Sequence, residues 1–323
     1  MQEMHFLLFW NIYSKIITFV LYLNKNMKQR LLKTISLSLI GITTMAQMPN
    51  MKINEVNNTK IAYYEKGKGE TILLLHGWPQ TSYVWRYIFP KLSEDYRVIA
   101  IDLPGMGKSE KTSDHDTKSI SNIINEFTEN LNIKNFHLVS HDVGSWVATS
   151  YALNFESKLK SLTVIDAGIP GLMSSDIFQP ENANKIWQFY FHSIEEIPEF
   201  LIEGKEKEYL SWYFSRKSFV KSAISERDLM EYYDNYKGTD KMKNSFEYYR
   251  AFTKSAVQNR EFSNKINIPV LAIGGEFAMA ENVGNALNKI AINVQSKTIK
   301  NCGHYVPEEQ PDIVVETFLN FIK

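Results

Sequence analysis

Residues 136–155 read FHLVSHDVGSWVATSYALNF, and this stretch decides the fold. It predicts a strand over residues 136–140 and a helix that runs to about Phe155. At the junction, SHDVG at residues 140–144, small residues stand two places before and two places after a central aspartate. A helix can pack tightly against the strand before it, around a strained nucleophile, when those flanking residues are small. We predict Asp142 as a nucleophile, with helix capping as the alternative role for this aspartate.

Other short apolar or β-branched runs each precede a turn that carries glycine or aspartate. With the first run they cover residues 71–75, 97–101, 136–140, 162–165, 270–273 and 295–299. Helical segments separate these runs, so the sequence predicts an α/β fold with a mostly parallel sheet and helices on both faces.

The strand pattern stops between about residues 168 and 257. Residues 187–252 alone hold 17 of the 42 Trp, Tyr and Phe residues in the chain. We therefore predict an inserted helical cap with an apolar pocket wall at residues 168–257. The two parts of the core would then be residues 47–167 and 258–323.

The overall composition excludes several classes of protein. The chain has 323 residues, with 36 basic and 36 acidic side chains. A net charge of zero argues against nucleic acid as the main partner, because that binding needs a positive surface field. The single cysteine, Cys302, excludes an intramolecular disulfide framework and a cysteine-rich metal site.

The first 46 residues differ from the rest, with five basic residues against Glu3. After Met27 come basic residues, the apolar run 35–42 and small residues up to Ala46, which predicts a signal peptide cleaved after Ala46. The protein would then be periplasmic or secreted, and Met27 would be the true start. One alternative is an amphipathic helix of the folded domain. Another is that residues 6–23 are retained as an anchor, which would bring the protein into contact with a membrane.

Two further turns supply partners for Asp142. The turn HGWP at residues 76–79 follows a strand and leaves the amide of Trp78 free to point into a cavity. His304 lies in a late loop before the last helix, where a general base is expected. Asp166, after the preceding core strand, is the favoured acid to orient His304, and Glu276 is the alternative.

In these motifs residues 51–323 resemble the α/β-hydrolase superfamily, and within it the branch of epoxide hydrolases and haloalkane dehalogenases. The resemblance includes DLPGMGKS at residues 102–109. It extends to a secreted epoxide hydrolase of this branch in LIEGKE at residues 201–206 and SFEYYRA at residues 245–251. It implies an α/β-hydrolase fold with a helical cap and, on its own, a homodimer.

The implied chemistry can also be argued from the residues. A carboxylate that attacks a saturated electrophilic carbon forms an ordinary ester, so Asp142 would open an epoxide or displace a halide. His304 would then activate water to hydrolyse the ester, while the amides of Trp78 and Val143 hold the oxyanion. These steps need no metal and no cofactor. The aromatic cap predicts a small apolar epoxide or halogenated substrate.

An opened epoxide also needs a proton donor from the cap. Tyr249 matches the second tyrosine of the family pair, whereas Trp187 stands where the family more often has the first. An indole N–H does not readily give up its proton, so Tyr249 would be the acid, and His192 could substitute only in an irregular helix. The alternative is that Trp187 and Tyr249 are core aromatics.

Three other functions remain as alternatives. Dehalogenation ranks second, because Val143 stands where dehalogenases place tryptophan or arginine. A secreted binding protein without activity is disfavoured by the retained Asp142 and His304. A serine esterase is disfavoured because Ser140 stands where the turn needs a small packing residue.

Overall fold

The computed structural model describes residues 48–323, which form one eight-stranded sheet. The strands are β1 (Lys52–Val56), β2 (Thr59–Lys66), β3 (Thr71–Leu75), β4 (Arg97–Ile101), β5 (Phe136–His141), β6 (Leu159–Ile165), β7 (Val270–Gly275) and β8 (Val294–Ile299). Their order across the sheet is β1-β2-β4-β3-β5-β6-β7-β8. Only β2 pairs antiparallel with its neighbours β1 and β4, and the other pairs are parallel. The predicted α/β fold with a mostly parallel sheet is confirmed.

The sequence does not predict β1 and β2, for a physical reason. Four of the five residues of β1 are not buried, and β2 begins and ends with polar residues. β1 lies at the edge of the sheet, where charged side chains discourage pairing with other chains, and β2 beside it is not buried at either end, so neither strand has a continuous apolar run. By contrast, all five residues of β3 are buried.

Helices connect the strands and cover the sheet. They are α1 (Phe89–Leu92), α2 (Thr117–Asn130), α3 (Val143–Phe155), α4 (Ala183–Ser193), α5 (Ile197–Ile202), α6 (Glu206–Lys217), α7 (Glu226–Tyr236), α8 (Thr239–Arg250), α9 (Phe252–Arg260), α10 (Asn282–Leu287), α11 (Val306–Glu309) and α12 (Pro311–Ile322). Helices α4 to α9 follow β6 and precede β7, in the region predicted as the cap. The boundary predicted at residue 257 falls inside α9.

The core consists of two apolar clusters, and the alternation of β3 contributes to both. Leu73 and Leu75 belong to one cluster, which includes Trp146 of α3. Ile72 and Leu74 belong to the other, on the opposite side of the pleated strand. A strand buried on both faces in this way positions the residue that follows it rigidly.

A buried charge cluster ties the cap to the core. Arg86, in a 3-10 turn at Ser82–Tyr87, pairs with Asp228 of α7 over 3.1 Å and with Glu308 of α11. The hydroxyl of Tyr232 on α7 donates to Glu308 at 3.0 Å. Arg86 thus lies between one carboxylate of α7 and one of α11, and these buried contacts fix the cap helix α7 against the turn after β3.

No helix within residues 48–323 is long and apolar enough to cross a membrane. The predicted signal peptide, its cleavage after Ala46, the start at Met27 and the anchor at residues 6–23 all lie outside the described residues.

Candidate active site

Asp142 occupies a strained turn between β5 and α3. Its backbone angles are φ 48° and ψ −122°, a conformation that costs a non-glycine residue on the order of 1–3 kcal/mol. A Cβ on Gly77 would lie 2.3 Å from the Cβ of Asp142, and one on Gly144 would lie 2.3 Å from the carbonyl oxygen of His76. Both positions therefore require glycine. The Asp142 side chain makes no capping hydrogen bond to α3, so it does not have the alternative capping role.

Three side chains from three strand ends meet at this turn. His304 Nε2 lies 3.4 Å from Asp142 Oδ2, and His304 Nδ1 lies 2.7 Å from Asp166 Oδ2. The other oxygen of Asp166 accepts the backbone N–H groups of Gly275 at 2.8 Å and Met279 at 3.1 Å. Asp166 is thus held in one orientation, and it orients the imidazole in turn.

Glu276, the alternative partner predicted for His304, is used elsewhere. Its carboxylate accepts a hydrogen bond from Lys300 Nζ at 2.8 Å and from the N–H of Asn301 at 3.0 Å. These contacts keep it near the surface, so Asp166 is the carboxylate that contacts the histidine.

Backbone amides flank the second oxygen of Asp142. The N–H of Trp78 donates to Asp142 Oδ1 at 2.9 Å. Val143 is the first residue of α3, where N–H groups have no acceptor within the helix. The Trp78 indole is fixed as well, because its Nε1–H donates to Ser245 Oγ at 2.9 Å. One carboxylate oxygen of Asp142 thus lies beside His304, and the other accepts from the backbone N–H of Trp78.

Aromatic rings from three cap helices surround the Trp78 indole. Ring centroids lie 4.5 Å away for His192 on α4, 4.7 Å for Tyr213 on α6 and 5.9 Å for Tyr249 on α8. Burial raises the pKa of Tyr213 and of Tyr249 well above the usual value, and the nearby charge of Asp142 adds to both shifts. Two protonated hydroxyl groups therefore lie close to the carboxylate and to each other.

The family model for the alpha/beta hydrolase fold matches residues 70–311. The chain belongs to the α/β-hydrolase family. A soluble epoxide hydrolase from Corynebacterium sp. is 31% identical over 274 residues, which cover 82% of this hydrolase and 94% of that protein. Epoxide hydrolase 1 of Caenorhabditis elegans is 25% identical, over 83% of this chain and 69% of its own. The crystal structure of Cfl2 from Burkholderia cenocepacia has 34% identity and a TM-score of 0.81, over 84% of this chain and 95% of that one. The hydrolase is an enzyme of epoxide hydrolase-like type, as predicted.

The charges in the site of this hydrolase are strongly coupled. Burial alone would lower the pKa of His304, but the contact with Asp142, the hydrogen bond to Asp166 and the charges of both carboxylates outweigh it and raise the pKa to about 9. Burial opposes ionisation of Asp142, yet the contact with His304 holds its pKa well below the usual range. The resting site therefore holds an imidazolium between two carboxylates. His141 supports this loop, since its Nε2 bonds the carbonyl of His304 at 2.8 Å.

The cap helix α4 carries two of the predicted residues. Trp187, predicted to contact the leaving group, packs on Phe191 at 5.8 Å and Trp212 at 5.6 Å, and its ring lies 6.2 Å from that of Tyr213. His192 was expected to reach the site only if the helix were irregular. In the structure α4 is a regular helix, and His192 is fully buried against Trp78. Five residues rotate a helix by about 140° beyond one turn, so the two side chains leave α4 in different directions, although their ring centroids still lie 6.1 Å apart.

His192 is a neutral member of the site. Burial keeps the pKa of His192 well below its usual value, and its Nε2 lies 2.6 Å from the hydroxyl of Tyr209. The sequence analysis missed Tyr213 altogether, since nothing distinguished it among so many cap aromatics. Within the described part of the chain, no group of three or more His, Cys, Asp or Glu residues is arranged to hold a metal ion.

Proposed function

We propose that this hydrolase opens epoxides to vicinal diols through a covalent ester on Asp142. The observation that carries the proposal is the aspartate itself, strained at the end of β5, with His304 at one oxygen and the N–H of Trp78 at the other. An aspartate nucleophile suits a saturated carbon and not a carbonyl, as argued above. The relatives named epoxide hydrolases add support.

In the first step, Asp142 Oδ2 attacks a ring carbon of the epoxide. A bond forms between Oδ2 and that carbon, and the bond from the carbon to the ring oxygen breaks. The ring oxygen takes a proton from Tyr249, while the hydroxyl of Tyr213 stabilises the developing charge by a second hydrogen bond. Positioned acids of this kind typically contribute about 10²–10⁴ in rate.

In the second step, the charge change on Asp142 prepares His304. The free carboxylate is a main reason why the pKa of His304 is raised to about 9. Esterification removes that charge, so the imidazolium can return its proton, through water, to the Tyr249 phenolate left by the first step. The neutral imidazole is then free to act as a base. It then takes a proton from water, whose oxygen attacks the ester carbonyl carbon. The N–H groups of Trp78 and Val143 hold the oxyanion, at about 3 kcal/mol for each donor.

Collapse of this intermediate releases the diol and restores Asp142. His304→Gln should leave ring opening intact and stop ester hydrolysis, so the substrate accumulates on the protein. Mass spectrometry of the intact variant, after incubation with a panel of small epoxides, tests this. Turnover of the panel by the wild type with no adduct on the variant would contradict the ester route. Lack of turnover and of adduct would favour a binding protein.

We further propose that the leader is removed after Ala46 and that the mature enzyme is exported. Its charge pattern supports this, with five basic residues before the cleavage site. The N-terminal mass of the protein recovered outside the cytoplasm tests the cleavage site, and a mass that retains residues 6–23 would favour the anchor.

A further inference from the structure

The last turn of α6 contacts the loop that holds the catalytic histidine. The backbone carbonyl of Lys217 accepts the N–H of His304 at 3.0 Å. A Cβ on Gly303 would lie 2.5 Å from the same carbonyl oxygen, so the two segments are in close contact. Lys217 is thus placed beside the site by its own backbone.

The side chain of Lys217 is partly buried between two cap helices. Its Nζ lies 5.0 Å from the centroid of the Tyr213 ring. On α4, the side-chain amide of Gln188 lies 2.9 Å from Nζ, and it accepts a hydrogen bond from the lysine once its oxygen is assigned to the position that faces Nζ. Gln188 is itself 4% exposed. The amide oxygen accepts from one of the three ammonium N–H groups, so two are left without a hydrogen-bond acceptor among the residues named here.

Lys217 differs from two largely buried arginines, one in the core and one in the cap. Arg86 and Arg250 each pair with two carboxylates. No Asp or Glu within residues 48–323 forms an ion pair with Lys217. The charges of Asp142 and Asp166 act on it from the site, but both carboxylates already contact His304. An ammonium that keeps some access to solvent and has no anion of its own can accept an anionic ligand at the edge of the site.

We propose that Lys217 binds a carboxylate of the substrate, so that the preferred substrates are epoxides with a carboxylate at a distance from the ring. The inference rests on the proposed function. Tyr213 links the two ends, since its ring lies 4.7 Å from that of Trp78 and 5.0 Å from Lys217 Nζ. A substrate with its epoxide at Asp142 would extend along this tyrosine to the ammonium.

The test compares two substrates that differ only in charge. They are a medium-chain terminal epoxide with a carboxylate at its other end and the primary amide of the same compound. We expect wild-type kcat/KM to favour the acid by at least about tenfold, since charged hydrogen bonds are the strong ones. Lys217→Met should remove about tenfold of this preference, chiefly through KM, and Lys217→Arg should retain part of it. Arg216→Met, which removes an exposed charge from the adjacent position, should leave the preference unchanged.

Two results would overturn the inference. One is a wild type without preference for the acid. The other is an equal loss on both substrates in Lys217→Met, which would mean that the lysine supports the cap or His304.

A binding measurement separates this inference from the proposed function. Calorimetry with the diol acid and the diol amide needs no turnover, and the acid should bind wild type about tenfold tighter than Lys217→Met. Such a difference without turnover of any epoxide would support the carboxylate site at Lys217 and contradict the proposed reaction. Turnover of epoxides with equal binding of the diol acid to both proteins would support the reaction and contradict the carboxylate site.

Discussion

Replacing Tyr213 by phenylalanine removes one hydroxyl and keeps the ring that packs 4.7 Å from Trp78. Burial and the charge of Asp142 both raise the pKa of this hydroxyl, so it stays protonated within the field of the carboxylate. Because the ring volume is unchanged, we expect a loss of only about 1 kcal/mol in the free energy of unfolding. One lost donor to a developing alkoxide costs about 3 kcal/mol, so ring opening should slow by about 100-fold.

The assay is a single turnover with enzyme in excess, quenched at intervals, in which the ester is followed as it forms and decays. Tyr213→Phe should slow formation of the ester, and Tyr249→Phe should slow it at least as much. Decay of the ester should be unchanged, because His304, Asp166 and Trp78 are untouched.

Tyr248→Phe is the matched control. Its hydroxyl donates to the carbonyl of Pro104 at 2.9 Å and so serves the core and not the site. The variant should lose about 1 kcal/mol of stability and open epoxides at the wild-type rate. The reasoning is refuted if Tyr213→Phe opens epoxides as fast as this control. Halide displacement needs no proton, so an equal loss on a haloalkane would show that the tyrosines act only by packing.

Two further predictions concern stability. His304 has its pKa raised to about 9 from 6.5, so its pairing stabilises the fold below about pH 6.5 and this contribution is lost as the pH rises through 9. Asp166→Asn removes one partner of His304. Between pH 6 and pH 9.5 the free energy of unfolding, measured with urea, should therefore fall less in this variant than in the wild type, by on the order of 2 kcal/mol. An equal fall in both proteins would contradict the assignment. Arg86→Leu leaves Asp228 and Glu308 without their buried cation, which should lower the free energy of unfolding by about 3–5 kcal/mol in the same assay. A loss below about 1 kcal/mol would mean that this cluster does not hold the cap.

The trio that we propose as catalytic could be predicted from the sequence because each member follows a recognisable strand. Asp142 and Asp166 come directly after buried apolar runs at β5 and β6, and parallel strands bring such ends to one edge of the sheet. The choice between Asp166 and Glu276 needed the structure. Both follow core strands, and only the hydrogen bonds show that Glu276 turns to Lys300.

The cap was harder to predict, because its helices are aromatic on several sides. Trp187 and His192 lie on one helix, and their order in the chain does not say which of them faces Trp78. Tyr213 reaches the site from α6, a helix whose place over Asp142 depends on tertiary packing. Lys217 belongs to no sequence motif. The role that we propose for it depends on the finding that no Asp or Glu within residues 48–323 forms an ion pair with it.

A single turnover in ¹⁸O-labelled water tests the central claim most directly. Enzyme in excess over an epoxide, followed by proteolysis and mass spectrometry, locates the label. Because water attacks the ester carbonyl carbon of Asp142, the account predicts one ¹⁸O atom in the peptide that contains Asp142 and none in the diol from the first turnover. Label in the diol, with an unlabelled peptide, would mean that water attacks the epoxide directly and would contradict the account.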